Sequence, residues 1–407
     1  MSEWKEVEIG SICKIIGGYA FKSKDFIQEG IPVIKIKNLK GKNVSVEDTD
    51  FVDPKFLHIN QKFIISYNDI LVALTGSHIT LPASAVGRVV KSRITDTLLM
   101  NQRVGKFQVN NKLCDHDYMY YVASSDAFFD QVGLRSRGAA NQANISGGDI
   151  EGIKIQLPPL PAQKKIAKIL SNYDDLIENN LKRIKLLEES ARLTYEEWFL
   201  RFRIDGDKLG VDSETGLPFG WRYIKLKECC DLTMGQSPKS EFYNELEEGL
   251  PFHQGVTNYG FRFPTNSTWS TAGTRVARKG DILFSVRAPV GRLNIAIENI
   301  ILGRGLSGIR HKEDLNSFLF YQLQNIFFED NLMGGGVIFD SVTKRDVESI
   351  SIRYSDEFSK NFDDLVQPMD SEIENLTNQN QLLKEARDIL LPRLMTGMID
   401  VEKMDGI

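Results

Sequence analysis

The sequence predicts an α+β chain built from two similar strand-rich globular domains, separated by a pair of long helices that form an antiparallel coiled coil with pseudo-two-fold symmetry. Three observations carry this: the chain repeats itself, its globular stretches are short apolar runs cut by turn residues, and each half ends in a long seven-residue-type periodicity. The repetition is legible by eye. Trp4 to Ile9 returns as Trp221 to Leu226, 217 positions later, and Asn68-Asp69-Ile70-Leu71 returns as Gly280-Asp281-Ile282-Leu283. Gly138 to Ile155 matches Gly335 to Ile352, and Ile177-Glu178-Asn179 matches Ile373-Glu374-Asn375 at an offset of 196. The offset shrinks through the globular stretches and then holds through the periodic ones. Loops that vary and rods that do not would give that pattern.

The elements follow in chain order. Residues 1–158 form the first globular domain, with short strands around Pro32 to Ile36 and Asp69 to Leu74 and one helix over about Asp117 to Val132. Leu157-Pro158-Pro159-Leu160-Pro161 cannot be helix interior and closes that domain. A helical region, 159–204, has its seam at Ile166, Ile169, Tyr173, Ile177, Leu181, Ile184 and Leu187. The linker 205–220 is rich in Gly, Asp and Ser. The second domain, 221–354, carries a strand at Asp281 to Val286 and a helix near Leu315 to Asn331, and the distal helical region, 355–398, has its seam at Phe362, Leu365, Met369, Ile373, Leu376, Leu383 and Leu390. A C-terminal tail, 399–407, remains. About 40 helical residues make a rod of ~60 Å at 1.5 Å per residue, longer than a domain of this size can cover, so each rod is expected to pair with the other.

Composition bounds the function. A chain of 407 residues, 42% apolar and 26% charged, is that of a globular protein, and no apolar run reaches the ~20 residues that span a bilayer. No secretory leader is visible at Met1-Ser2-Glu3-Trp4, which points to the cytoplasm. The net charge of −5 is concentrated in the linker and in the tail from 353 onward, leaving the globular halves near neutrality. Cys13, Cys114, Cys229 and Cys230 lack Cys-x-x-Cys spacing, and Cys114-Asp115-His116 does not make a metal site, so no metal is expected.

These residues reach a family. The repeat, the Leu157–Pro161 punctuation followed by Gln163 and Ile166-Ala167, the Gly280–Leu283 strand, the Gly235-Gln236-Ser237-Pro238 loop and the segment Gly138 to Ser146 together resemble the specificity subunits of type I restriction–modification enzymes. The resemblance covers essentially the whole chain. It implies two target-recognition domains, each reading one half of a bipartite double-stranded DNA site, with the helices as spacer ruler. It implies two modification subunits that use S-adenosylmethionine, motor-nuclease subunits that use ATP and magnesium, and no cofactor bound by this chain itself. It also implies that the chain is non-catalytic, which fits the missing motifs: Pro158-Pro159 lacks the Asn/Asp and aromatic flanks of an amino-methyltransferase turn, and no phosphate loop occurs.

Base edges are read by Arg, Lys, Asn and Gln, and phosphates by Lys, Arg and hydroxyls. In the first head the candidates are Lys22, Lys24, Lys35, Lys37, Asn38, Lys40, Ser77, His78, Asn101, Gln102, Arg103, Arg135 and Arg137. In the second head they are Gln236, Lys239, His253, Gln254, Arg287, Arg292, Arg304, Lys344 and Arg345. Lys35 and Lys37 are expected on one face of a strand. Exposed rod positions such as Lys182, Arg183, Lys185, Glu189, Glu374, Asn378 and Gln379 could bind the modification subunits. An alternative reading keeps the same shape as a non-catalytic coiled-coil scaffold whose heads bind proteins. A third, a cryptic enzyme in one head, lacks any paired acid–base or nucleophile constellation.

Overall fold

A computed structural model describes residues 4–58, 61–77, 86–139, 142–332 and 341–403. The chain divides into two compact units, Met1–Glu178 with Asn380–Ile407, and Asn179–Gln379. Each unit therefore holds one head, part of the helix that follows the first head and part of the helix that ends the chain.

In the first unit, strand Lys5–Glu8 pairs antiparallel with Lys154–Leu157, which leads into the long helix Leu160–Tyr195. A six-stranded sheet runs from Cys13–Gly17 through Val104–Val109, Ile70–Ala73 and Val89–Lys91 to the short strands Asn43–Val44 and Leu39–Lys40. A five-stranded sheet joins Phe26–Ile27, Asp50–Val52, Ile31–Ile34, Leu98–Met100 and Ile64–Ile65. Strand Ile70–Ala73 shows why its sequence is apolar without alternation. Ile70 and Val72 enter the core beside the helices, while Leu71 and Ala73 enter a second cluster with Ile34, Val90 and Met100. A strand buried on both faces has no polar side to show.

The second unit repeats these parts. Arg222–Lys225 pairs with Ser351–Tyr354, Cys230–Met234 with Leu306–His311, and Leu250–His253 runs parallel to Ile300–Leu302. Ile282 and Phe284 face one core and Leu283 the other, as in the first head. The turn before the closing strand is capped alike in both: Ser146 and Asp149 form a reciprocal capping box, and Thr343 and Asp346 form its counterpart.

One expectation is corrected. The single helix near 117–132 is two, His116–Ala123 and Asp126–Arg135, because the Ser125 hydroxyl accepts from the Phe128 amide and starts a new helix. Its counterpart Asn316–Leu332 is continuous. The stretch around 205–220 is built into the second unit: Arg203–Ile204 pairs with Asp207–Lys208, and Leu217 is buried. The C-terminal stretch also packs, with Val401 buried in the first unit's core beside Ala162 and Ile166 and its carbonyl accepting from Lys165 Nζ.

The long helices, Leu160–Tyr195 and Phe358–Met395, span 36 and 38 residues, about 54 and 57 Å at 1.5 Å per residue. Within the second unit their contacts run in opposite directions: Asn180 meets Gln379, Arg183 meets Glu372, and the Tyr195 ring meets Phe362. Within the first unit Asp174 meets Arg387 while Lys165 meets Val401. The pairing is antiparallel in each unit. Ile166, Ile177, Phe362, Ile373 and Leu376 are buried, and Ile169, Tyr173, Ile184, Leu187, Met369, Leu383 and Leu390 are half-buried. Leu181 and Leu365 are not in the seam; they are 44% and 45% exposed, and Asn180 and Val366 point inward instead. A straight helix drifts by ~20° per heptad against a 3.5-residue repeat, enough to move the inward position by one residue.

An aspartate at the same repeat position ties each head to its helix. Tyr121 donates to Asp174 at 2.7 Å, and Arg387 pairs with Asp174 at 2.5 Å. At an offset of 196, Asp370 accepts from Ser317 at 2.7 Å and from Tyr321 at 3.3 Å, and pairs with buried Arg262 at 2.5 Å. Glu188 approaches the same guanidinium at 3.8 Å, and burial pushes its carboxyl up to about 7.

Three outcomes follow from this packing. Truncation after Gln379 removes Leu394 and Val401 from the first unit's core, so hydrogen exchange will accelerate across residues 4–178 far more than across 221–352. Arg262→Met leaves Asp370 buried without its cation, and the second unit should lose about 3–5 kcal/mol in denaturant unfolding. Glu188 has a folded pKa above its ordinary 4.5, so its contribution is present below pH ~4.5 and lost as pH rises through 7. Glu188→Gln should therefore flatten the fall in stability between pH 5 and pH 8, measured by thermal unfolding across that range.

Candidate nucleic-acid interface

In each head three chain segments meet at one tip of the sheets, and the backbone bonds that join them are the same. In the first head Gly18 N donates to Val104 O, Tyr19 N to Met100 O, Asn101 N to Ile34 O, and Val104 N to Asn101 O. In the second head Gly235 N donates to Leu306 O, Gln236 N to Leu302 O, Gly303 N to His253 O, and Leu306 N to Gly303 O. The equivalences are Gly18 with Gly235, Ile34 with His253, and the turn Asn101-Gln102-Arg103 with Gly303-Arg304-Gly305.

Glycine is required where the segments touch. A Cβ on Gly18 would stand 2.2 Å from the Asn101 carbonyl oxygen, and one on Gly235 would stand 2.1 Å from the Gly303 oxygen. Only a residue without a side chain lets the two backbones approach this closely. The frame is thus fixed by main chain, and the side chains at its rim are free to differ. Lys22, Lys35 and Gln102 in the first head occupy the places of Lys239, Gln254 and Arg304 in the second; Arg103 stands where the second head has Gly305, and Gln236 where the first has Tyr19.

Their states differ in ways that matter for binding. Gln102, Arg103, Gln236 and Arg304 are exposed, and among the described residues no ion pair engages Arg103 or Arg304. Ser237 organises the second tip: its hydroxyl accepts from the Arg304 amide at 3.2 Å and donates to Gln254 Oε1 at 2.7 Å. In the first head Lys35 pairs with Asp50 at 2.8 Å, with Lys37 at 3.8 Å from the same carboxylate. Lys22 and Lys24 are exposed around the short turn Ser23–Asp25, whose Asp25 accepts from the Lys22 amide.

Other candidates sit elsewhere or are occupied. Lys35 and Lys37 do not share a strand face, since strand Ile31–Ile34 ends before them and a turn, Ile36–Asn38, begins. Asn38 is buried; it donates to Glu47 O and accepts from the Lys35 amide, so it holds the loop rather than facing outward. His253 is also buried, bonded to Asn266 at 2.9 Å, and burial lowers its pKa. Lys40 pairs with Glu47, Lys344 with Glu348, and Arg137 with Asp149 at 3.4 Å. Arg135 bonds Gln131 in its own helix, and exposed Arg345 lies on the short helix Lys344–Glu348. Arg287 and Arg292 are exposed on the connection after strand Ile282–Ser285, Ser77 is half-buried, and His78 lies outside the described residues. Tyr19 and Phe21 pack with Phe56 in an aromatic cluster, as core residues do.

Sequence reasoning missed Gly18, Gly235 and Ser237 as builders of the tips, and Tyr121, Asp174, Arg262 and Asp370 as anchors of the heads. A signal was available: Asp174 and Asp370 share the 196-residue offset already visible in the helices. Burial pushes Cys13 and Cys114 up to about 12, and among the described residues no group of three or more His, Cys, Asp and Glu is placed to hold a metal.

Residues 1–189 and 218–383 match the family described as type I restriction modification DNA specificity domain. This chain belongs to that family. It is 31% identical over 98% of its length to the putative type I restriction enzyme MjaX specificity subunit of Methanocaldococcus jannaschii, covering 94% of that protein. It is 26% identical to the MjaVIII specificity subunit of the same organism, over 99% of this chain and 94% of that one. The crystal structure of the type I restriction-modification system S subunit from M. genitalium shares the fold, with a TM-score of 0.66 over 97% of this chain and 96% of that one, at 17% identity. Among the described residues no helix is long and apolar enough to cross a membrane.

If the glycines are the frame, Gly18→Ala and Gly235→Ala will each loosen one tip only. Amide exchange should rise at Asn101–Val104 in the first variant and at Gly303–Leu306 in the second, with the opposite head unchanged.

Proposed function

We propose that this specificity subunit reads a bipartite double-stranded DNA site, one half per head, and that the long helices set the spacing between the halves. The observation that carries the reading is the repeated tip: one backbone frame, built twice, presenting different hydrogen-bonding side chains. A reader of two unlike short sequences needs that combination, because the frame sets register on the duplex and the side chains select bases. The uncommitted amide and guanidinium groups of Gln102, Arg103, Gln236 and Arg304 are the chemistry that base edges recognise.

In this reading the chain binds no cofactor. Two modification subunits dock on it and bring S-adenosylmethionine chemistry, and motor-nuclease subunits bring ATP and magnesium. Lys182, Lys185 and Glu189 on the first helix and Glu374 and Asn378 on the second are side chains through which the modification subunits could dock. Lys279 is already paired with Glu374 at 2.6 Å, so that carboxylate is partly committed.

Exchanging residues 1–157 for those of another family member should change one half-site of the methylated sequence and leave the other unaltered, as mapped by methylated-base sequencing in cells. The logarithm of the assembled complex's binding constant for its site should fall linearly with the logarithm of salt concentration, with a slope of roughly 0.9 per phosphate neutralised. A scaffold whose heads bind only proteins would leave both measurements without a DNA signal.

A further inference from the structure

From the two tips we infer that Arg304 reads a guanine in the half-site of the second head, and that Gln102, at the equivalent place, reads an adenine in the half-site of the first. This deepens, and rests on, the DNA-reading function proposed above.

Gln102 and Arg304 are the central residues of turns held by the same backbone bonds, so the two side chains leave the same point of the same frame. Both are exposed. Arg304 has Gly303 and Gly305 as neighbours, and each is packed against the 253–255 segment: a Cβ on Gly303 would lie 2.6 Å from Gln254 Cα, and one on Gly305 would lie 2.6 Å from Gln254 O. The arginine therefore rises from a turn whose flanks cannot carry side chains, and its own amide is held by the Ser237 hydroxyl. With the backbone already fixed, binding has to order only the side chain's own rotamers and not the loop, which favours a directed contact over a diffuse one.

The chemistry of each side chain names its base. A guanidinium fork offers two parallel donors, matching the O6 and N7 acceptors of guanine in the major groove. A glutamine amide offers one donor and one acceptor, matching N7 and N6 of adenine. Lysine supplies charge but no fork, so it can replace arginine at a phosphate and not at a bidentate base contact. Gln254 lies beside Arg304 with its Oε1 already held by Ser237, and it is a candidate for the adjacent base pair.

The test uses the assembled complex of the full chain with its modification subunits, bound to a DNA library randomised at both half-sites and sequenced after selection. The wild-type complex should select a bipartite sequence; if it selects none, the DNA-reading function itself fails. With that function in place, Arg304→Gln should replace one G·C by A·T in one half-site, and Gln102→Arg should replace one A·T by G·C in the other. The expected change in preference is about 5- to 150-fold at that single position. Arg304→Lys should lose the guanine preference without moving any other position. Three results overturn the inference: an unchanged sequence with Arg304→Gln, a uniform loss of affinity that Arg304→Lys restores, or a loss of preference spread over the whole half-site.

Discussion

Neither head closes its own core. The first unit's apolar cluster runs from Ile9 and Phe107 through Ile166 and Leu170 to Leu394 and Val401, so residues more than two hundred positions downstream complete it. The second unit's cluster likewise needs Ala191, Tyr195 and Phe199 from one helix and Phe362 and Val366 from the other. Apolar surface of this extent left in water would cost about 25 cal/mol per Å². The antiparallel pairing of the helices in each unit is therefore part of what keeps each head folded. A mechanical element and a folding element are the same residues.

That constraint explains where polar residues enter the packed regions. Asp174 and Asp370 are partly or wholly buried carboxylates on the helices, and each is matched by a tyrosine from the head's own helix and by an arginine. The arginine comes from different places: Arg387 on the opposite helix in the first unit, Arg262 on a loop of the head in the second. Buried ion pairs seldom add net stability over apolar contacts, but they penalise every arrangement that separates the partners. Asn180 and Asn380, buried within otherwise apolar faces, have the same effect on helix register.

The tips show the opposite strategy. There, identity of backbone is kept and identity of side chain is not. Gly18 and Gly235 hold the same close approach in both heads, while the residues they support are Gln102 in one and Arg304 in the other. Divergence within a constant frame is what two readers of unlike sequences require, and a purely structural repeat has no need of it.

The sequence alone determined the repeat, the α+β class, the two long helices and the family, because these rest on periodicity and order that survive divergence. It also placed strands at Ile70–Ala73 and Ile282–Ser285 from their short apolar runs, whereas the burial of both faces of each was decided by the fold. Tertiary structure decided what depends on direction and distance. Asn38 and His253 look like readers in a list of polar residues, but the fold turns them inward to hold loops. Leu181 and Leu365 fit a 3.5-residue count, but the 3.6-residue turn of a real helix carries them to the surface. Ser237 meets Arg304 67 positions away, Gly235 meets Gly303 at 68 and Gly18 meets Asn101 at 83, and no local pattern encodes separations of that kind.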